Sequence, residues 1–243
     1  MSDRREQKGA LRREREAREQ QARAAQERKR MVGYGAAAAL AIGVVVVAIM
    51  LATGGGNSSG GGGNGGNVFP SGGSAPKQKV FDVGSAVRAA GCELITTKSK
   101  GESDRLHTDG PSVRVKYRSN PPTLGKHWPP GYQADDGLYS QSPADEALVH
   151  TMEHGRVIIW VKPTLPEEAR KTLRALFDED SYQLVMTPRR KMPYDVATTA
   201  WNGDPAPGGT GRTLACMSWN AKVVDALRTF RDDNRSQGPE PVP

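Results

Sequence analysis

The chain has 243 residues, of which 36% are hydrophobic and 25% are charged, enough for one domain of ordinary size and too little for two well-packed cores. Its net charge of +7 is local, because the first 30 residues hold 11 of the 34 basic and 6 of the 27 acidic side chains, and those that follow nearly balance. A nucleic-acid-binding surface on the main domain is therefore excluded, since it would need lysine and arginine concentrated there.

The first predicted element is a membrane-spanning helix. Residues 32–52 contain neither a charge nor a proline, and a helix of that length measures about 31 Å, close to the thickness of a bilayer's hydrocarbon core. We therefore expect a transmembrane segment at residues 31–53, after a charged cytoplasmic tail of residues 1–30. The basic run Arg28–Arg30 borders its N-terminal end, so the positive-inside rule places the C-terminal domain outside the cell membrane.

The same helix suggests two partners, the lipid bilayer and a second copy of the chain. Gly35, Ala39 and Gly43 lie four residues apart, a spacing that lines one helix face with small side chains and lets two helices form a homodimer. A cleaved signal peptide fits less well, because its apolar core is only about 7–15 residues long. The sequence does not indicate a small-molecule ligand.

A flexible glycine-rich linker is predicted at residues 54–76. Glycine accounts for 11 of the 24 residues from Thr53 to Pro76, and such a segment buries too little apolar surface to repay its ordering entropy. The composition of a globular domain begins at residue 77 and continues to residue 235. The proline-rich residues 236–243 are predicted to be a loose tail.

Hydrophobic periodicity within residues 77–235 predicts an α+β fold, a small sheet with helices on one face. Residues 77–142 are rich in turns, and strands are indicated there only near Lys79–Asp82 and Val113–Tyr117. The predicted helices are Pro143–His154, Pro166–Phe177 and Ala221–Arg231, and the remaining predicted strands are Arg156–Lys162, Tyr182–Thr187, Val196–Trp201 and Thr213–Met217.

The two cysteines of the chain, Cys92 and Cys216, both fall in the domain assigned to the oxidising side of the membrane. Cysteines in that environment usually form disulfides, and neither belongs to a CxxC redox motif. We therefore expect a structural disulfide that closes nearly the whole domain into one loop.

All four histidines lie within 48 consecutive positions of this domain. His150 and His154 are four residues apart on a predicted helix, so both rings project from one face and can bind one ion. His127 follows the stiff segment Asn120–Thr123, which would carry a third ligand to that face, and His107 would supply a fourth. This clustering predicts a site for a divalent transition metal, and zinc or copper suits imidazole ligands.

The same residues allow a metal-free alternative, a tethered interaction or structural domain of the cell envelope. A histidine in the last turn of a helix, such as His154, is favoured by the helix dipole without any metal. Residues 150–154 also fit the HxxEH pattern of inverted zinc peptidases, but the predicted helix ends at once at Gly155. We expect Glu153 to hold a metal-binding imidazole rather than the metal. No residue is assigned as catalytic, and the sequence does not decide whether the domain is an enzyme.

Three segments resemble the domain of unknown function 3105 family of bacterial, often membrane-anchored proteins. They are Tyr117–His127, Leu148–Gly155 and Thr199–Trp201. The resemblance covers roughly residues 80–233. The chain departs from the family pattern at Leu124, where serine is usual, and at Lys126, where proline is usual. These departures weaken any proposal that a hydroxyl of this loop acts as a metal ligand or a nucleophile. The resemblance supports the domain boundaries and implies no reaction, and its three segments contain His127, His150, His154 and Glu153.

A reporter fused after Pro243 tests the orientation. We expect a reporter that is active only outside the cytoplasm to be active there, and the same reporter fused after Arg30 to be inactive. Activity of the C-terminal fusion in the cytosol would contradict the predicted orientation and location together.

Overall fold

The computed structural model describes residues 68–240, which form a mixed six-stranded sheet with four helices. The strands are β1 (Glu93–Lys98), β2 (Gly137–Leu138), β3 (Val157–Val161), β4 (Leu184–Pro188), β5 (Val196–Asn202) and β6 (Thr210–Cys216), the helices are α1 (Val83–Ala90), α2 (Asp145–Glu153), α3 (Glu167–Glu179) and α4 (Val223–Asn234), and a 3-10 turn covers Glu102–Arg105. No helix among these residues is long and apolar enough to cross a bilayer. The predicted transmembrane segment and cytoplasmic tail lie outside the described residues.

The strands are arranged in the order β1-β6-β5-β3-β4-β2. The pairs β1/β6, β6/β5 and β5/β3 are antiparallel, and β4 is parallel to both β3 and β2. Parallel neighbours need a crossover connection, and α3 provides the one between β3 and β4. The sheet therefore has an antiparallel half and a parallel half.

The prediction that the helices lie on one face of the sheet is wrong, because β3 is buried on both faces. Successive side chains of a strand point to opposite faces. Val157, Ile159 and Val161 pack in one hydrophobic core with α1, α3 and α4. Ile158 and Trp160 pack in a second core, against α2. The helix α2 is thus separated from the other helices by the sheet.

All seven elements predicted from residue 143 onward are confirmed, with ends that shift by at most three residues. The two strands predicted before that point are wrong, because side chains rather than a neighbouring strand bind their backbone. The N–H groups of Lys79 and Val80 donate to the Asp225 carboxylate at 3.0 and 3.1 Å. The N–H of Val115 donates to the buried carboxylate of Glu146 at 2.7 Å. These segments therefore lie outside the sheet.

The end of the predicted flexible linker is packed against α3. Phe69 is only 1% exposed and belongs to the core, and the Arg170 guanidinium donates to the Val68 carbonyl at 2.7 Å. A Cβ on Gly73 would lie 2.5 Å from the Lys171 backbone. Residues 68–75 therefore belong to the folded domain, because two large apolar side chains anchor an otherwise glycine-rich segment.

The predicted disulfide is confirmed. Cys92 and Cys216 are joined with an S–S distance of 2.04 Å across a sequence separation of 124 residues. Glu93 of β1 is paired with Ala215 of β6, so the strand register places the two cysteines side by side at the next position. The bridge therefore links the start of the edge strand to the end of its neighbour.

Replacing Phe69 by alanine tests the packing of the linker end. We expect Phe69→Ala to lower the free energy of unfolding by about 3–5 kcal/mol, because a buried phenylalanine is lost from the core. The matched control is Phe81→Ala at a side chain that is 77% exposed, which should change stability by less than about 0.5 kcal/mol. Urea unfolding of the purified full-length chain measures both. Equal effects would contradict the packing of Phe69.

Candidate metal centre

Two parts of the chain meet at the histidines. His150 and Glu153 lie on the second half of α2. His107 and His127 lie between β1 and β2, on two segments joined by a parallel β-bridge in which Thr108 N–H donates to the His127 carbonyl at 2.7 Å. The ring of Trp201 on β5 lies 5.8 Å from the His127 ring, measured between centroids. The cluster therefore lies against strand β5 of the sheet.

Four side chains converge at this place. One potential ligand atom from each of His107, His127, His150 and Glu153 lies within 4.8 Å of all the others. Three of these residues are buried to at least 99%, and His107 is the most exposed. The cluster therefore has a closed interior and an accessible side at His107.

Backbone carbonyls orient the two buried rings. The Nδ1 of His127 lies 2.8 Å from the Gly125 carbonyl, and the Nδ1 of His150 lies 2.6 Å from the Trp128 carbonyl. A carbonyl oxygen can only accept, so each Nδ1 carries the hydrogen and each Nε2 of a neutral ring presents a lone pair. Gly125 adopts φ of +133°, a conformation that side chains rarely adopt. This turn lets its carbonyl face the ring two residues later.

The lone-pair nitrogen of His127 faces a carboxylate. His127 Nε2 and Glu153 Oε2 are 2.9 Å apart, and neither atom has a hydrogen-bond partner outside this pair. The other carboxylate oxygen, Oε1, accepts from Arg105 Nε at 3.3 Å. Burial alone would raise the pKa of Glu153, but a proton on the facing nitrogen of His127 and the Arg105 guanidinium outweigh it and hold that pKa below its usual range in the absence of a metal. The cluster therefore contains a buried carboxylate.

Two of the rings are favoured in the neutral form, which is the form that binds a metal. Burial and the neighbouring His127 ring lower the pKa of His150 to about 4, and the same two causes lower the pKa of His107. His150 is therefore neutral at pH 7, which metal coordination requires.

His154 lies beside the four converging groups. It ends α2, and its Nε2 is 2.9 Å from His150 Nε2. Its Nδ1 donates to the Glu240 carbonyl at 3.0 Å, so when each ring carries a single proton the two facing Nε2 atoms both present lone pairs. Two lone pairs at this distance need a cation or a proton between them.

The structure thus brings all four sequence-predicted histidines together, with His154 on the outer side of His150. Glu153, which the sequence suggested as a partner of an imidazole, both faces His127 and lies at ligand distance from the others. Arg105 was not anticipated, because its contact with Glu153 spans 48 residues and no spacing pattern signals it.

The structure also differs from the prediction of a loose tail at residues 236–243. Residues 236–240 are held beside the cluster by backbone hydrogen bonds, and this segment is here named the C-terminal strap. Ser236 N–H donates to the Gly155 carbonyl at 2.8 Å, and Glu240 N–H donates to the Glu153 carbonyl at 3.0 Å. A Cβ on Gly238 would lie 2.2 Å from the Glu153 carbonyl oxygen. Glycine at this position therefore allows the strap to lie directly against the end of α2.

Comparison with known proteins identifies a family. Residues 110–242 match a family model described as "Protein of unknown function (DUF3105)", which is more than half of the chain, so the chain belongs to this family. The comparisons with curated proteins and with solved structures gave no match. The matched range includes three histidines, Glu153 and the strap, and it leaves His107 and Arg105 just before its start. The family description states no activity.

Nitrogen NMR of the full-length chain, freed of metal by a chelator and held above the pH range in which histidines titrate, tests the ring orientations. We expect the Nδ1–H tautomer at His127 and His150, because a backbone carbonyl accepts from each Nδ1. In the Nε2–H tautomer of His127 the lone pair would lie on Nδ1 and face the Gly125 carbonyl oxygen. Finding this tautomer would therefore contradict the arrangement.

Proposed function

We propose that this member of the DUF3105 family is a single-pass membrane-anchored protein whose extracytoplasmic domain binds one divalent transition metal through His107, His127, His150 and Glu153. The observation that carries the metal site is the convergence of four ligand groups around the facing pair of His127 Nε2 and Glu153 Oε2, both buried and without a hydrogen-bond partner outside the pair. A buried polar atom without a partner costs about 1–3 kcal/mol. A cation bound between these two atoms would satisfy both.

The spacing of the four groups supports the same proposal. Two ligands bound 2.0–2.2 Å from one tetrahedral zinc ion lie about 3.3–3.6 Å apart. The four ligand atoms already lie within 4.8 Å of one another, so closure needs any two of them to approach by about 1.5 Å or less. His107 is the member with most room to move, because it is the most exposed.

The donor set favours zinc. Three imidazoles and one carboxylate suit zinc, whereas cuprous copper prefers thiolate or thioether ligands. Both cysteines are in the disulfide, and the Met152 sulfur accepts a hydrogen bond from Thr199 at 3.2 Å. Cupric copper, which also binds imidazole, is the second candidate.

Membrane anchoring rests on the apolar run of residues 32–52 and on the disulfide. A disulfide between Cys92 and Cys216 is stable outside the reducing cytosol, which supports a domain displayed beyond the cell membrane. The small-residue spacing of the predicted helix supports a homodimer as a further part of the proposal.

Elemental analysis of the full-length chain, purified in detergent and reconstituted with zinc, tests the metal site. We expect one zinc per chain and a metal-dependent rise in the unfolding temperature, because a ligand that binds only the native state stabilises it. His150→Ala and Glu153→Gln should each weaken zinc binding by about a hundredfold or more, beyond the effect of losing a group that only supports a ligand.

The matched control is Glu167→Gln, which removes an exposed acid paired with Lys171 on α3 and should leave zinc binding unchanged. His154→Ala measures whether the adjacent ring is itself a ligand, and we expect it to retain stoichiometric zinc. Absence of zinc from the wild-type chain under reconstitution would overturn the proposal and favour a metal-free tethered domain whose histidines order the loops.

A further inference from the structure

Arg105 ends the 3-10 turn and lies two residues before His107, the accessible member of the cluster. Its Nε donates to Glu153 at 3.3 Å, and its Nη2 donates to the carboxylate of Glu240 on the C-terminal strap. The side chains of Arg105 and Glu240 are 29% and 50% exposed. One side of the guanidinium is therefore used inside the cluster, and the other holds a carboxylate that is open to solvent.

The strap delivers that carboxylate by backbone contacts. Glu240 N–H donates to the Glu153 carbonyl, and the Glu240 carbonyl accepts from His154 Nδ1, both at 3.0 Å. Further along the strap, Gly203 N–H donates to the Gln237 carbonyl at 2.7 Å. Since both the N–H and the carbonyl of Glu240 are hydrogen-bonded, its side chain is held within reach of Arg105.

The charges around the cluster change sign when a metal binds. With the imidazoles counted as neutral, one guanidinium and two carboxylates give a net charge of −1. A divalent cation would bring this to +1. The metal-bound cluster would therefore attract an anion, and Arg105 is the group with the donor geometry for one, because a guanidinium presents a planar fork to an oxyanion.

We propose that Arg105 and the metal together form a subsite for a carboxylate or phosphate group of the ligand, and that the Glu240 carboxylate occupies this subsite until the ligand replaces it. This inference rests on the proposed metal function. Zinc can expand from four ligands to five, so the metal ion and the guanidinium on the open side of the cluster can bind two oxygens of the same anion. The exposed Glu240 carboxylate shows that an oxyanion fits on Arg105 at this position.

Cobalt(II) in place of zinc provides the readout, since its visible absorption changes when an added anion alters the metal's surroundings. The full-length chain in detergent, loaded with one cobalt per chain, is titrated in separate arms with inorganic phosphate and with acetate. We expect saturable spectral changes in at least one arm. A change with phosphate alone assigns a phosphate ligand, and a change with acetate assigns a carboxylate ligand.

Two variants assign the subsite to the named residues. Glu240→Gln should tighten anion binding about two- to fivefold, because a competing surface carboxylate is removed. Arg105→Gln should weaken it about tenfold or more, because charge-assisted hydrogen bonds are lost, and Arg105→Lys, which keeps the charge without the fork, should be intermediate. Glu167→Gln is the control, and we expect it to bind the anion as the wild type does.

Cobalt content is measured in every variant, so that loss of the anion is separated from loss of the metal. Failure of the wild type to bind cobalt would overturn the proposed function and this inference together. Stoichiometric cobalt with no response to either anion, or with a response that Arg105→Gln leaves unchanged, would overturn the inference alone.

Discussion

The cluster depends on one constraint, that the buried imidazoles donate from Nδ1 to backbone carbonyls. A ring held in this way has no freedom to exchange its two nitrogens, so its Nε2 faces inward as a lone pair. The carbonyls of Gly125 and Trp128 impose this on two rings, and the carbonyl of Glu240 imposes it on His154. Because the acceptors are backbone carbonyls, the polarity of the cluster is built into the path of the chain rather than into replaceable side chains.

The sheet determines where those backbone groups lie. Burial of β3 on both faces requires a helix on each side, and α2 is the helix that covers the second face. In its last turn, Met152 packs in the same core as Trp201, and the loop that carries His127 places that ring 5.8 Å from the Trp201 ring, measured between centroids. The loop also packs on β6, since a Cβ on Gly211 would lie 2.4 Å from the Thr123 hydroxyl. The site is thus supported by both the sheet and α2.

Sequence patterns predicted the parts of the molecule that rest on local periodicity, including every element from residue 143 onward. They missed β1, because this edge strand leaves most of its side chains exposed and has only two apolar residues, Leu94 and Ile95, and they missed α1, which has only eight residues. Histidine spacing located the cluster. Three features depend on contacts between residues distant in sequence, namely the position of Glu153 among the ligand groups, the role of Arg105 and the fixed strap. The hydrophobic pattern of β3 indicated a buried strand but was not used to predict helices on both faces of the sheet.

The bridge between Cys92 and Cys216 has a consequence for how the domain withstands proteases. All four histidines and Glu153 lie inside the covalent loop that it closes. A single cut anywhere in that loop, for example among the exposed residues 111–114, frees no fragment, because both pieces remain joined through sulfur. The groups of the cluster therefore stay covalently connected after one cleavage, and their separation requires a reductant or a second cut.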